Sequence, residues 1–362
     1  MTRLAPLHGG QLRQIADHFG IPISELLDFS ANINPEGPPA AVLSALRASL
    51  NEPSILTNYP DLDEKELRQS LARYAGIRPE SVVVANGFVP LLDAALRILP
   101  IRSCLVPVPA FVEYRKVLER SGAEFVSHGV DSGSGFNYEV SNLVTGSHDA
   151  ILLANPQNPS GVLCRRETML RIAEEAARRN VVVLLDEAFI DYCPEATLSR
   201  EIDRFPNLVV FRSVTKFFAM AGLRVAYALA HEQLRKRIQE VVAPWPVTSL
   251  ASLAAGHAVQ DDSYVRRTIT RNNERRDQMR RAMEKLGIDV YSPAANFLLL
   301  RLPGHIDCHQ LWERLIRRHR IVLRNCANYE ALDSRHLRAA VRDHMENERL
   351  IEALAHEMEE EQ

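Results

Sequence analysis

The sequence predicts an α/β fold, with a large domain whose mostly parallel sheet is sandwiched by helices, plus a smaller α+β domain. Three observations predict it. From about residue 64, short apolar runs bounded by Gly, Pro or Asn alternate with helical patterns, as in helices packed on a largely parallel sheet. Those runs are continuous rather than alternating, which suits strands buried on both faces. At 362 residues the chain has room for about two domains, and its texture changes near residue 285. The expected division is a large domain over 46–284 and a small one formed by 1–45 with 285–362.

The first run, Val82-Val83-Val84-Ala85, opens a strand, a loop and a helix ending near Pro100. Asn86, Asp93 and Arg97 interrupt this stretch, so it lacks the roughly 18 uncharged residues of a membrane span. Further strands are expected at Cys104 to Val108, Ile151 to Leu153, Val181 to Leu185, Leu208 to Phe211 and Val225 to Leu229. Between them, Thr168 to Arg179 places Leu170, Ala173 and Ala177 on one face and Glu174, Arg178 and Arg179 elsewhere, the pattern of a crossover helix. Ala251 to Leu286 is a long, Arg-rich helical pattern without proline, read as one helix bridging two domains. The smaller domain follows with Asn296 to Leu302, a helix near Leu311, Ile321 to Arg324, Leu337 to Val341 and a terminal helix from Glu348. No Gly/Ser-rich linker or fixed-period repeat separates the parts, so the domains are expected to pack tightly.

Composition excludes several classes of function. With 43 basic against 46 acidic residues and a net charge of -3, no overall positive field exists for nucleic acid or an anionic membrane. The five cysteines (Cys104, Cys164, Cys193, Cys308, Cys326) are scattered, odd in number and without metal-ligand spacing. A reduced, cytoplasmic protein with no metal site is expected, and the N-terminus lacks the apolar run of a signal peptide. One count stands out: only Lys65, Lys116, Lys216, Lys236 and Lys285 are lysines, against 38 arginines.

Three strand-end motifs point to chemistry. Asp186 follows the run Val181 to Leu185, and ligands of open α/β sheets bind beyond the carboxyl ends of strands; alone, it equally suits a turn cap. Asn155-Pro156-Gln157-Asn158-Pro159 makes a rigid turn able to hold an amide in place. In Ser213-Val214-Thr215-Lys216-Phe217-Phe218, Lys216 alone among the lysines leads into an apolar run, where desolvation would depress its pKa and yield an amine nucleophile.

A strand-end Asp, an Asn-Pro turn, and Ser-x-x-Lys followed eight residues later by Arg224 together resemble the fold-type I pyridoxal-phosphate enzymes of the aspartate aminotransferase superfamily. The resemblance implies that Lys216 attaches pyridoxal 5'-phosphate covalently, that Asp186 pairs with its ring nitrogen and that Asn158 bonds its ring hydroxyl. It also implies that Ser213 and Arg224 hold the phosphate and that Phe111 stacks on the ring. Tyr59, in Asn58-Tyr59-Pro60-Asp61, matches a tyrosine that reaches the neighbouring subunit's cofactor phosphate, which implies a homodimer with shared active sites. The phosphate loop departs from the family pattern: Asn86-Gly87 is followed by Phe88-Val89-Pro90 rather than polar or acidic residues. Backbone N–H groups of Phe88 and Val89 can still cradle phosphate, and proline is tolerated in a first helical turn.

Within that superfamily the chain most resembles the L-threonine-O-3-phosphate decarboxylases, the cobalamin-pathway relatives of histidinol-phosphate aminotransferases. The matching residues are His8-Gly9-Gly10, Asp28 to Pro35, Asp186-Glu187-Ala188-Phe189-Ile190-Asp191, Pro244-Trp245 and Arg324 to Arg338. Phe189 stands where aminotransferases usually place a tyrosine. The resemblance implies a substrate pocket of His8, Asn32, Arg324 and Arg338, whose charge-assisted donors suit a phosphorylated amino acid. Serine phosphate decarboxylation, histidinol-phosphate transamination and a degenerate cofactor-binding protein are the alternative expectations.

Overall fold

The computed structural model describes residue 6 and residues 8–359; the outermost ends of the expected small domain lie outside these described residues. Seven strands form the main sheet. In spatial order they are Val82–Ala85, Ala226–Ala230, Leu208–Ser213, Val182–Asp186, Ala150–Ala154, Ser103–Val108 and Glu124–Gly129. Four of its six pairings are parallel, and Ala226–Ala230 runs antiparallel to both neighbours.

Successive strand residues point to opposite faces, and each face has its own core. Val82, Val84, Ile151, Leu153, Val183 and Leu185 enter one cluster, while Val83, Ala85, Ala150, Leu152 and Leu184 enter the other. Burial on both faces explains the unbroken apolar runs. The edge strand Glu124–Gly129 gives no such run, because it is half exposed, and sequence reading passed over it.

The long helical pattern is not one helix. Ser249–Ala258 and Asp262–Lys285 are separate, because Asp261 accepts a hydrogen bond from Tyr264 N at 2.9 Å and starts a new helix as its N-cap. The second helix joins two cores: Tyr264 enters the sheet core, while Met279 and Met283 enter that of the smaller sheet. That smaller sheet is antiparallel, in the order Arg324–Asn325, His336–Ala340, Phe297–Arg301 and Asp289–Val290. A short parallel pair joins Leu27–Asp28 to Ile321–Val322. The terminal helix, His344–Glu359, begins four residues earlier than expected, with Asp343 accepting from Glu346 N at 2.8 Å. The helix Ala40–Ser49 crosses residue 45, and its Val42 is buried in the large-sheet core. No helix among the described residues is long and apolar enough to cross a membrane.

Candidate active site

A cavity of about 260 Å³ opens at the carboxyl ends of the parallel strands. Its walls include Lys216, Asp186, Asn158, Ser213, Arg224, Phe111, Gly87, Phe88, Val89, His8, Asn32, Arg324 and Arg338. Of the predicted residues, Tyr59 is left outside: it is 80% exposed and stacks on Trp245 with ring centroids 4.5 Å apart.

One wall is built on the large sheet. Asp186 ends its strand, accepting from Tyr114 Oη at 2.6 Å and from Ala188 N at 2.9 Å. Burial raises its pKa to about 6, against the pull of those bonds and of Lys216. Adjacent Glu187 is engaged elsewhere, by the Thr197 hydroxyl at 2.5 Å and Leu198 N at 2.8 Å. Lys216 follows the next strand. Burial, then the charges of Arg338 and Arg224, lower its amine to about 8, with Asp186 opposing. The lysine's backbone is tied down: its carbonyl accepts from Asn34 N at 3.1 Å, and the Phe217 carbonyl accepts from Asn34 Nδ2 at 2.8 Å.

At the cavity's other end lies an anion cradle. Gly87 has φ 97° and precedes the helix Phe88–Ile98, which has no side-chain cap. Its first N–H groups therefore lack helical partners. A Cβ on Gly87 would come within 2.9 Å of the Arg224 guanidinium, so glycine permits that approach. The Ser213 hydroxyl lies 2.7 Å from that of Thr215. Phe88 is apolar for a packing reason: its ring meets Phe211 at 5.3 Å and Tyr114 at 5.8 Å, leaving the backbone of the turn to face the cradle.

The opposite wall comes from the N-terminal segment and the smaller sheet. Arg324 and Arg338 are only 2% and 5% exposed. Arg338 donates to Asn158 Oδ1 at 2.6 Å and to the Ser30 carbonyl at 2.9 Å. Arg324 donates to Asn328 Oδ1 at 2.7 Å and to the Asn325 carbonyl. Asn32 Oδ1 and Arg338 Nε are buried without hydrogen-bond partners, which is costly unless a ligand meets them.

This donor set fits pyridoxal 5'-phosphate: an amine depressed toward neutrality, a carboxylate for a ring nitrogen, an amide for a hydroxyl and a glycine-opened cradle for phosphate. Sequence reasoning missed Tyr114, the direct partner of Asp186. Its position three residues after Phe111, at the start of the following helix, was the available signal. Thr215, Ala188 and Tyr329 also line the cavity and were passed over. Away from it, His319, His356 and Glu357 form a group with metal-like spacing, but Arg314 and His319 already bond that carboxylate, and the arginine charge opposes a cation.

Comparison with known proteins identifies the family and the fold. Residues 24–354 match the family model for aminotransferase class I and II. The threonine-phosphate decarboxylase of Salmonella typhimurium (strain LT2) is 36% identical over 353 residues, spanning 96% of this chain and 95% of the relative. Among solved structures, the histidinol-phosphate aminotransferase of Clostridium acetobutylicum superposes with a TM-score of 0.86 at 27% identity, covering 92% of this chain and 100% of that one. The L-threonine-O-3-phosphate decarboxylase of Porphyromonas gingivalis gives a TM-score of 0.78 at 25% identity, covering 91% and 99%.

Proposed function

The chain belongs to the class I and II aminotransferase family, and from that premise we propose that it is a pyridoxal-phosphate enzyme that decarboxylates L-threonine O-3-phosphate. The products are (R)-1-amino-2-propanol O-2-phosphate and carbon dioxide, the amino-alcohol phosphate serving cobalamin assembly as in the decarboxylases the sequence resembles. The observation that carries this reading is the pair of buried guanidiniums, Arg324 and Arg338, set with His8 and Asn32 across the cavity from Lys216. That wall matches a substrate with two anionic ends, a carboxylate and a phosphate monoester. The 36% identity to a threonine-phosphate decarboxylase over nearly the whole chain supports it.

Bound pyridoxal phosphate supplies an electron sink for the bond that breaks. The chain's own groups do the rest. Lys216 Nζ would be the point of attachment, Asp186 would keep the ring nitrogen protonated, and Asn158 would bond the ring hydroxyl. Phe111 covers the ring face. Ser213, Arg224 and the Gly87, Phe88 and Val89 backbone take the cofactor phosphate. The substrate wall of His8, Asn32, Arg324 and Arg338 would hold the substrate so that its carboxylate is the group released, as carbon dioxide. The Lys216 amine then delivers a proton to the α-carbon, a role that its pKa of about 8 suits near neutral pH.

The test is incubation with threonine phosphate and serine phosphate without a keto acid, measuring carbon dioxide and the amine product. Release from threonine phosphate is expected. Transamination of histidinol phosphate with 2-oxoglutarate, and no carbon dioxide, would replace this reading with the aminotransferase one. Release from serine phosphate alone, giving ethanolamine phosphate, would move the substrate by one methyl group, worth about 1–3 kcal/mol of discrimination in a pocket.

The working unit in this reading is a homodimer in which Tyr59 completes the partner's phosphate site. The exposed stack of Tyr59 on Trp245, with Leu56 and Leu62 also exposed, supports a covered surface. Light scattering at twice the chain mass is expected; a monomer would sink it. Residues 46–284 act as the cofactor-holding unit, and 1–45 with 285–362 as the substrate-holding one. The five cysteines, all buried and none in a disulfide with another, support a cytoplasmic location.

A further inference from the structure

Glu113 has no role in the resemblance, yet its contacts give it one. It opens the helix Glu113–Ser121, two residues after Phe111 and one before Tyr114. Its Oε1 lies 2.9 Å from His8 Nε2 and 2.8 Å from Lys116 Nζ. The His8 segment is held separately from its other side. His8 N donates to Gln11 Oε1 at 2.7 Å and Gly10 N to the Ser30 hydroxyl at 2.8 Å. Gly9 lies so close to the rim that a Cβ there would sit 2.0 Å from the Ser30 carbonyl oxygen. The segment is thus tethered across the cavity rim twice, by backbone to Ser30 and by the imidazole to Glu113.

An imidazole has two ring nitrogens. With Nε2 committed to Glu113, only Nδ1 remains for a ligand, and both nitrogens donate together only when the ring is protonated. We propose that Glu113 is a positioning residue for the substrate phosphate, orienting the His8 ring and favouring its doubly protonated form when a phosphate monoester arrives. This inference rests on the decarboxylase reading for the identity of that monoester. Glu113 is not among the residues that line the cavity; it acts through His8, and it favours phosphorylated over unphosphorylated amino acids.

The charges around the ring set the sign of each test. Burial lowers the His8 pKa below its usual value, Glu113 raises it, and Lys116 and Arg324 lower it. Gln11 and Phe111, the other neighbours, carry no charge. Before substrate binds, the ring is therefore mostly neutral at pH 7, and an arriving phosphate dianion favours protonation.

The experiment is an NMR titration of the cofactor-loaded enzyme with ¹³C-labelled histidine, His8 being assigned by loss of its signal in His8→Gln. Inorganic phosphate is the probe. Phosphate is expected to raise the His8 midpoint in the wild type. Glu113→Gln should lower the midpoint and Lys116→Met should raise it, opposite shifts that a merely structural role would not produce. In turnover, Glu113→Gln should raise KM for threonine phosphate by about tenfold, with the loss in KM rather than kcat, and reduce the preference over threonine by a similar factor. Unchanged midpoints in both variants, or an equal loss on threonine and its phosphate, would overturn the proposal. A wild type that shows the shifts but releases no carbon dioxide keeps the phosphate-positioning role and overturns the decarboxylase reading.

Discussion

The two walls of the cavity are held by different means. On the cofactor side, Asp186 and Ser213 end neighbouring strands of the sheet, and register sets their backbone positions: Asp186 stands opposite Ala154 on one side and Phe211 on the other. On the substrate side, Arg324 and Arg338 stand opposite each other on paired strands of the smaller sheet, while His8 and Asn32 come from the N-terminal segment. The two parts are joined by individual bonds, such as that from Arg338 to the Ser30 carbonyl. A sheet edge fixes atoms cooperatively, so it suits the chemistry that family members share. A wall of separate tethers can be altered one residue at a time, which suits the part that chooses the substrate.

Breaking each wall in turn should therefore give different signatures. Lys216→Ala should remove decarboxylation by about a thousandfold or more, measured as carbon dioxide release, with no recovery at high substrate. Arg338→Lys should act through KM, raising it roughly tenfold to a hundredfold, because one ammonium cannot replace a guanidinium that spans Asn158 and Ser30; saturating substrate should restore most of kcat. Tyr114→Phe deletes the 2.6 Å bond to Asp186 and should lower kcat about tenfold while leaving KM nearly unchanged.

The smallest effect is on stability. Burial pushes the Asp186 carboxyl up to about 6 in the folded protein, against the ordinary value of 3.8. A raised folded pKa means that its contribution is fully present below about pH 4 and lost as pH rises through 6, so the ionised group opposes folding at pH 7. Asp186→Asn should then raise the melting temperature of cofactor-free protein by a few degrees at pH 7 and leave it unchanged near pH 4. An equal shift at both pH values would show that packing, not charge, is responsible.

The same division decided what the sequence could reveal. The cofactor wall was legible because buried strands write unbroken apolar runs, and the polar residues ending them stand out. Lys216 stood out further because so few lysines compete with it. The substrate wall left no local pattern. Arg338 and Arg324 both lie within short strands, two among 38 arginines, and only resemblance singled them out. Tyr114 was missed because its task depends on a contact 72 residues away. The break at Asp261 was missed because helical periodicity continues on both sides and only an N-cap aspartate marks it.

One tether has a consequence for assembly in time. The Arg338 guanidinium grips Ser30, and Leu27–Asp28 adds to Ile321–Val322 as a parallel pair. During synthesis the first of these segments leaves the ribosome about 300 residues before its partner. A nascent chain can therefore complete the sheet and its lysine pocket while its opening residues still await their place. The substrate wall can close only after residue 338 has emerged, so the part that recognises what should enter the cavity is the last to be made.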